Sequence, residues 1–198
     1  MRSPPPSNKS LFDFAMAGPL VGLLLSIALL VAGMEISTLM DFADANQLPV
    51  FPIATLKSST LGGSIVEYFV GKGTLTMASV DTMLPLHPFA IAGFVGMFSN
   101  ALALLPIGNT DGGRIAQTMF GRRGAYIVSV FTLLLSCVLG LCGLDKQRIF
   151  LVYTLFAVIW QREPESPTLN EVDELDFQRG LLGIASSVLV FLILLPML

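Results

Sequence analysis

The chain has 198 residues, of which 54% are hydrophobic and only 13% charged, with a mean hydropathy of +0.76. A soluble domain carries about 25% charged residues, so much of this surface is built to face something other than water. Its 11 basic and 14 acidic side chains leave a net charge of −3, which supplies no cationic field for nucleic acid and excludes that partner.

The unit of organisation is then the bilayer span, about 20 apolar residues per helix. The expected fold class is all-α: a polytopic membrane helix bundle of about five transmembrane helices, forming one membrane domain over residues 1–198. Ahead of the first span, Met1–Ser10 has no apolar core of its own, so no secretory signal is expected. The first apolar run, Phe14–Met34, is about one bilayer thick at about 1.5 Å per residue. Pro19 lies near its start, where a missing N–H matters little. Gly18 and Gly22 stand one turn apart, a pairing that predicts close approach of another helix.

Residues 35–86 form an inter-helix segment. It carries Glu35, Asp41 and Asp44, then Pro49 and Pro52, then Ser64–Val70, too short and polar to span and better suited to an interfacial or re-entrant helix. The second span runs from His87 to Pro106, and a loop containing glycine and arginine follows from Ile107 to Arg123. The third span, Gly124–Gly143, holds Cys137 and Cys142 on different faces, suggesting neither a disulfide nor a metal clip. Ile149–Trp160 is the fourth, closing a hairpin with the third and placing Trp160 at an interface. Residues 163–179 read as an acidic loop, and Gly180–Leu198 as the fifth span. Alternating spans gather Arg2, Lys9, Arg114, Arg122, Arg123, Arg162 and Arg179 on one side, against Lys57, Lys72, Lys146 and Arg148 on the other. The positive-inside rule then puts the first group in the cytosol or its organellar equivalent.

The informative stretch runs from Asn100 to Arg114. Pro106 interrupts helical hydrogen bonding, and Gly108, Gly112 and Gly113 admit backbone conformations that other residues avoid. Irregular backbone near membrane depth survives only where protein or a water cavity shelters it, and an acid there, Asp111, needs a partner. Two readings of Asp111 stay open: N-cap of a helix starting at Gly112, or a carboxylate ligand to zinc. Asn100 reads as an interhelical hydrogen-bond partner or a positioning residue.

This stretch resembles the second signature of the site-2 protease family, intramembrane zinc metallopeptidases, which reads Asn-x-x-Pro-x-x-x-x-Asp-Gly. Pro106, Asp111, Gly112, Gly113 and Arg114 fall on it in register. Leu11–Leu20, His87–Phe94, Phe120–Arg123 and Trp160–Arg162 are similar to the plastid branch named for ethylene-dependent gravitropism-deficient and yellow-green plants. The resemblance implies zinc as cofactor, Asp111 as its third protein ligand, and membrane-embedded protein substrates within a plastid membrane, thylakoid or inner envelope. In such a site zinc lowers the pKa of bound water to about 7.

Two departures qualify it. His-Glu-x-x-His, which supplies two ligands and a general base, is absent, and His87 is the single histidine. The resemblance therefore implies the C-terminal part of a larger protease, inactive alone, with the N-terminal catalytic half as its missing partner. Ala103 also stands where the signature has asparagine, and Asn100 lies one turn earlier. Two other readings remain: a catalytically inactive pseudoprotease acting as a membrane binding or chaperone-like protein, and a transporter fragment. The last requires a second broken helix, for which Leu61-Gly62-Gly63 is the candidate.

Overall fold

A computed structural model describes residues 5–40, 48–79, 81–142, 148–161, 168–170 and 175–197. Helix α1, Asn8–Leu39, starts earlier than the apolar run because Ser7 and Ser10 cap it reciprocally. The Ser10 N–H donates to Ser7 Oγ at 3.3 Å, and the Ser7 N–H to Ser10 Oγ at 3.2 Å. Pro19 consequently falls in the helix interior, not in its first turn as expected. One stripe of α1 is buried, including Leu11, Ala15, Leu23, Leu30 and Met34, at helical spacing.

The inter-helix segment then forms β1 (Val50–Pro52), α2 (Ile53–Leu56), α3 (Thr60–Val70), α4 (Thr74–Met77) and β2 (Met83–Pro85). The two strands pair antiparallel with Phe51 opposite Leu84. Beyond them lie α5 (Pro88–Ala103), α6 (Asp111–Cys142), α7 (Arg148–Phe156) running into a π-turn at Ala157–Gln161, and α8 (Phe177–Leu194). The architecture is all-α apart from that short strand pair. By length and composition α1, α6 and α8 can cross a membrane, and α5 and residues 150–161 are shorter apolar helices.

Two boundaries differ from expectation. Helix α5 stops at Ala103, short of Pro106. The expected loop over 107–123 is largely helix: α6 is two helices joined at Gly121 (φ 67°, ψ 177°), here α6N (residues 111–120) and α6C (residues 122–142). That backbone region is nearly exclusive to glycine. No atom stands within 4 Å of where a Gly121 Cβ would sit, so the conformation, not space, selects glycine. Of the expected acidic loop, residues 162–167 and 171–174 lie outside the described residues, as does the Cys142 side chain.

The chain divides into two compact units. In the unit made of Val21–Ala101 and Phe191–Leu198, α1 and α5 run antiparallel at very short range. A Cβ on Gly22 would strike Asn100, one on Gly33 the Ala90 backbone, one on Gly93 the backbone at Ser26 and Leu30, and one on Gly96 the Ser26 side chain. Small residues thus bring the backbones together, Gly22 among them. Gly18 is not among them, for nothing lies within 4 Å of its Cβ position. Helix α3 is capped by Ser59, whose Oγ accepts from the Gly62 N–H at 3.0 Å. Gly62 and Gly63 let it press on Phe94 and Met97 of α5 and on Met197. They sit inside a continuous helix, so Leu61-Gly62-Gly63 is not a second break.

In the other unit, Met1–Leu20 and Leu102–Val190, α6C and α7 form the expected hairpin, with Gly140 against Leu151. Helices α1 and α8 enter from one end, tied by charges. Arg179 donates through Nε and Nη2 to both Asp13 oxygens at 2.8 Å, and also bonds Asp176; Lys9 Nζ donates to Asp176 at 2.9 Å. Gly183 of α8 lies against Met119 and Phe12. That contact puts the Gly121 corner at the same end, with Arg122 and Arg123 exposed beside it. Arg122 and Arg123 therefore lie at the end of this unit where Lys9 and Arg179 bind Asp176.

Two outcomes follow. Gly33→Leu should drive α1 and α5 apart and lower the thermal midpoint in detergent sharply, since overpacking costs about 1–3 kcal/mol or more; Gly18→Leu should leave it unchanged. The Lys9 hydrogen bond and charge hold the Asp176 carboxyl below the ordinary carboxylate range. A depressed folded pKa gives stability that is present above the unfolded value of about 3.9 and lost as pH falls through the lower folded one. Acid titration should therefore weaken the α1–α8 tether in the wild type, and Asp176→Asn should flatten that dependence.

Candidate functional site

The break between α5 and α6 is the chemically distinctive part of its unit. Pro106 has no N–H and disfavours helical backbone at the preceding residue, so α5 ends and the chain needs other partners for its polar groups. Within the loop, the Leu105 N–H donates to Leu102 O at 3.2 Å, Ile107 to Leu105 O at 2.8 Å, and Thr110 to Ile107 O at 3.0 Å. Gly108, with φ 47°, adopts left-handed backbone, and its N–H donates to Ser129 Oγ at 3.0 Å. The Asn109 N–H donates to Gln161 O at 2.8 Å.

Thr110 starts the next helix. Its buried hydroxyl accepts from the Gly113 N–H at 3.0 Å and donates to Leu105 O at 2.7 Å. The cap is therefore Thr110 and not Asp111, and the helix starts one residue earlier than the cap reading assumed. Gly112 and Gly113 are required by proximity: a Cβ on the first would overlap the Leu104 and Leu105 carbonyls, and on the second those of Ile107 and Gly108.

Asp111, released from capping, stands in the first turn of α6N, where a helix N-terminus favours negative charge. Its side chain is 32% exposed, and Oδ1 accepts from Arg114 Nη1 at 3.1 Å. Arg114, 16% exposed, also donates through Nη2 to Asn109 Oδ1 at 3.0 Å, so one guanidinium spans the loop and the carboxylate. The position of this group along α6C follows from Ser129, eight residues past Gly121. At about 1.5 Å per residue, the loop lies about 12 Å along that helix from the basic corner. Helix α6N therefore folds back alongside α6C.

The other residues singled out from the sequence are placed elsewhere or differently. Pro106 and Gly108 belong to this loop. Asn100 lies in the unit containing α3, where its side chain packs on Gly22 and Nδ2 donates to Gly96 O of its own helix at 2.8 Å, not across to another. His87 caps α5, its Nδ1 accepting from the Phe89 N–H at 3.2 Å. Thr110, Asn109, Ser129 and Tyr153 were not anticipated, nor was the reach of Arg114 back to Asn109. Thr110 had a local signal, a threonine just before Asp-Gly-Gly; Ser129 and Tyr153 had none.

A zinc centre takes three or four protein ligands. Among the described residues no three His, Cys, Asp or Glu side chains converge. The described residues of this chain do not fit a whole centre.

The family described as "Peptidase family M50" matches residues 1–141. The chain is 34% identical over 192 residues to the "Probable zinc metalloprotease EGY1, chloroplastic" of Oryza sativa subsp. japonica, covering 97% of this chain and 31% of that protein. To the protein of the same description from Arabidopsis thaliana it is 35% identical, covering 96% and 33%. To the "Probable zinc metallopeptidase EGY3, chloroplastic" of Arabidopsis thaliana it is 34% identical, again covering 96% and 33%. The chain thus spans about a third of the length of these relatives. No solved structure matches it.

Since Thr110 supplies the cap, Thr110→Val should destabilise the unit by about 1–2 kcal/mol, whereas Thr110→Ser should stay near wild type. Denaturation midpoints in one detergent would check both.

Proposed function

The chain belongs to peptidase family M50, in the plastid branch of its relatives, and on that premise we propose that it is the C-terminal part of an intramembrane zinc metalloendopeptidase acting on membrane-embedded protein substrates. It is a plastid membrane protein, and zinc is the metal for which its relatives are named. One observation carries the reading. The residues shared with the Pro-x-x-x-x-Asp-Gly signature fold into a break that leaves the Asp111 carboxylate free of capping and paired with Arg114.

In this reading Asp111 is the ligand that the chain contributes. Arg114 orients the carboxylate from one oxygen, Thr110 sets where the helix begins, and Gly112 and Gly113 let the loop close under it. The other ligands and the general base come from the catalytic half, so the chain alone is inactive. A second reading, an inactive M50 pseudoprotease that binds membrane proteins, is favoured by Ala103 at the signature's asparagine position. It predicts zinc retention without cleavage, or neither.

In the complete protein, Asp111→Asn should lower zinc occupancy and abolish cleavage while the helices stay folded by circular dichroism. Unchanged zinc content would remove Asp111 from the ligand set. The chain by itself should retain no stoichiometric zinc after dialysis against a mild chelator.

The basic corner should face the stroma. With Cys137 and Cys142 replaced, Arg122→Cys should label fully from that side, and Thr110→Cys slowly or only with small reagents. Labelling of the corner only from the opposite side would overturn the sidedness.

A further inference from the structure

Lipid contains no water to satisfy a broken helix, so each polar backbone group at the Leu104–Thr110 break needs a protein partner. The loop meets part of that demand itself, through Thr110 and its own carbonyls. Two of its groups, and one carbonyl of α5 just before it, are met from outside by the α6C–α7 hairpin and its π-turn. Ser129 Oγ of α6C accepts the Gly108 N–H at 3.0 Å. The Tyr153 hydroxyl of α7 donates to Leu102 O, a C-terminal carbonyl of α5, at 2.7 Å. Gln161 O, at the π-turn that ends α7, accepts the Asn109 N–H at 2.8 Å.

These bonds flank Asp111 from the preceding residues, and no acidic or basic side chain takes part in them. Ser129 and Tyr153 are each only partly buried, so their hydroxyls are not there to fill a core. A serine on a lipid-compatible helix and a π-turn, a form often found at functional sites, converge on two successive N–H groups.

We propose that Ser129 and Tyr153, with the Gln161 carbonyl, are positioning residues that hold the backbone before Asp111 in the one conformation that presents its carboxylate. The positioning role rests on the proposed site at Asp111; the conformational claim does not.

The test is amide hydrogen exchange on the complete protein in nanodiscs, read over peptides covering residues 102–111. Ser129→Ala should raise exchange there about ten-fold, the effect of losing one hydrogen bond at a part-buried donor. Ser129→Thr, which keeps the hydroxyl, should restore it. Tyr153→Phe, which removes one oxygen and nothing else, should raise exchange in the same peptides and leave α1 and α8 unchanged. Loop exchange indifferent to both variants, or a rise spread over every helix, would overturn the proposal. Cleavage assays on the same samples should show kcat lowered in Ser129→Ala with KM unchanged, and recovered in Ser129→Thr; equal loss in Ala and Thr variants would also overturn it. If the wild type cleaves nothing, the protease reading fails, and the exchange pattern still decides whether the hairpin holds the loop.

Discussion

A polypeptide in lipid cannot leave its amide groups to solvent, and the structure is organised around the place where this constraint is hardest to meet. Pro106 ends α5 where the chain has to turn and re-enter as α6N. Every N–H from Leu105 to Thr110 that exists finds an acceptor, and two of those acceptors belong to α6C and α7. The helical hairpin therefore stabilises the loop as well as packing beside it. The same requirement explains Thr110, whose single hydroxyl serves a helix start and a loop carbonyl together.

Close packing in the two units uses different means. Where α1 meets α5, glycine removes side chains until backbones nearly touch, so association rests on van der Waals contact, the main attraction available between helices in lipid. Where α1 meets α8, long charged side chains bridge the helix ends at an exposed rim. Exposed ion pairs add little stability each, about 0–1 kcal/mol. The bidentate Arg179–Asp13 geometry, shared with Asp176 and Lys9, chiefly fixes which ends lie together.

The functional reading gains from this arrangement because it gives Asp111 a defined state. A carboxylate used as a helix cap would have its acceptor capacity directed to backbone N–H groups. Here a neighbouring hydroxyl takes that role, and Arg114 balances the charge from one side. Membership of peptidase family M50 supplies the chemistry that such a carboxylate would serve. The chain's own contribution is the geometry of one carboxylate and the backbone that holds it.

Composition and hydropathy alone determined the all-α membrane class, because lipid admits few side-chain types and the apolar runs are long. The Pro106–Arg114 motif was equally legible, since proline, glycine and an isolated acid each constrain the backbone locally. Boundaries were less so: a Ser7–Ser10 cap moved the start of α1, and Gly121 turned an expected loop into a hairpin of helices. Gly18 and Gly22 look alike in sequence, yet only Gly22 has a helix against it. Tertiary structure alone decided that Thr110 caps in place of Asp111, that Arg114 reaches back to Asn109, and that Ser129, Tyr153 and Gln161 hold the break. Hydrogen-bond partners dozens of residues apart leave no periodicity to read; they exist only once the helices have packed.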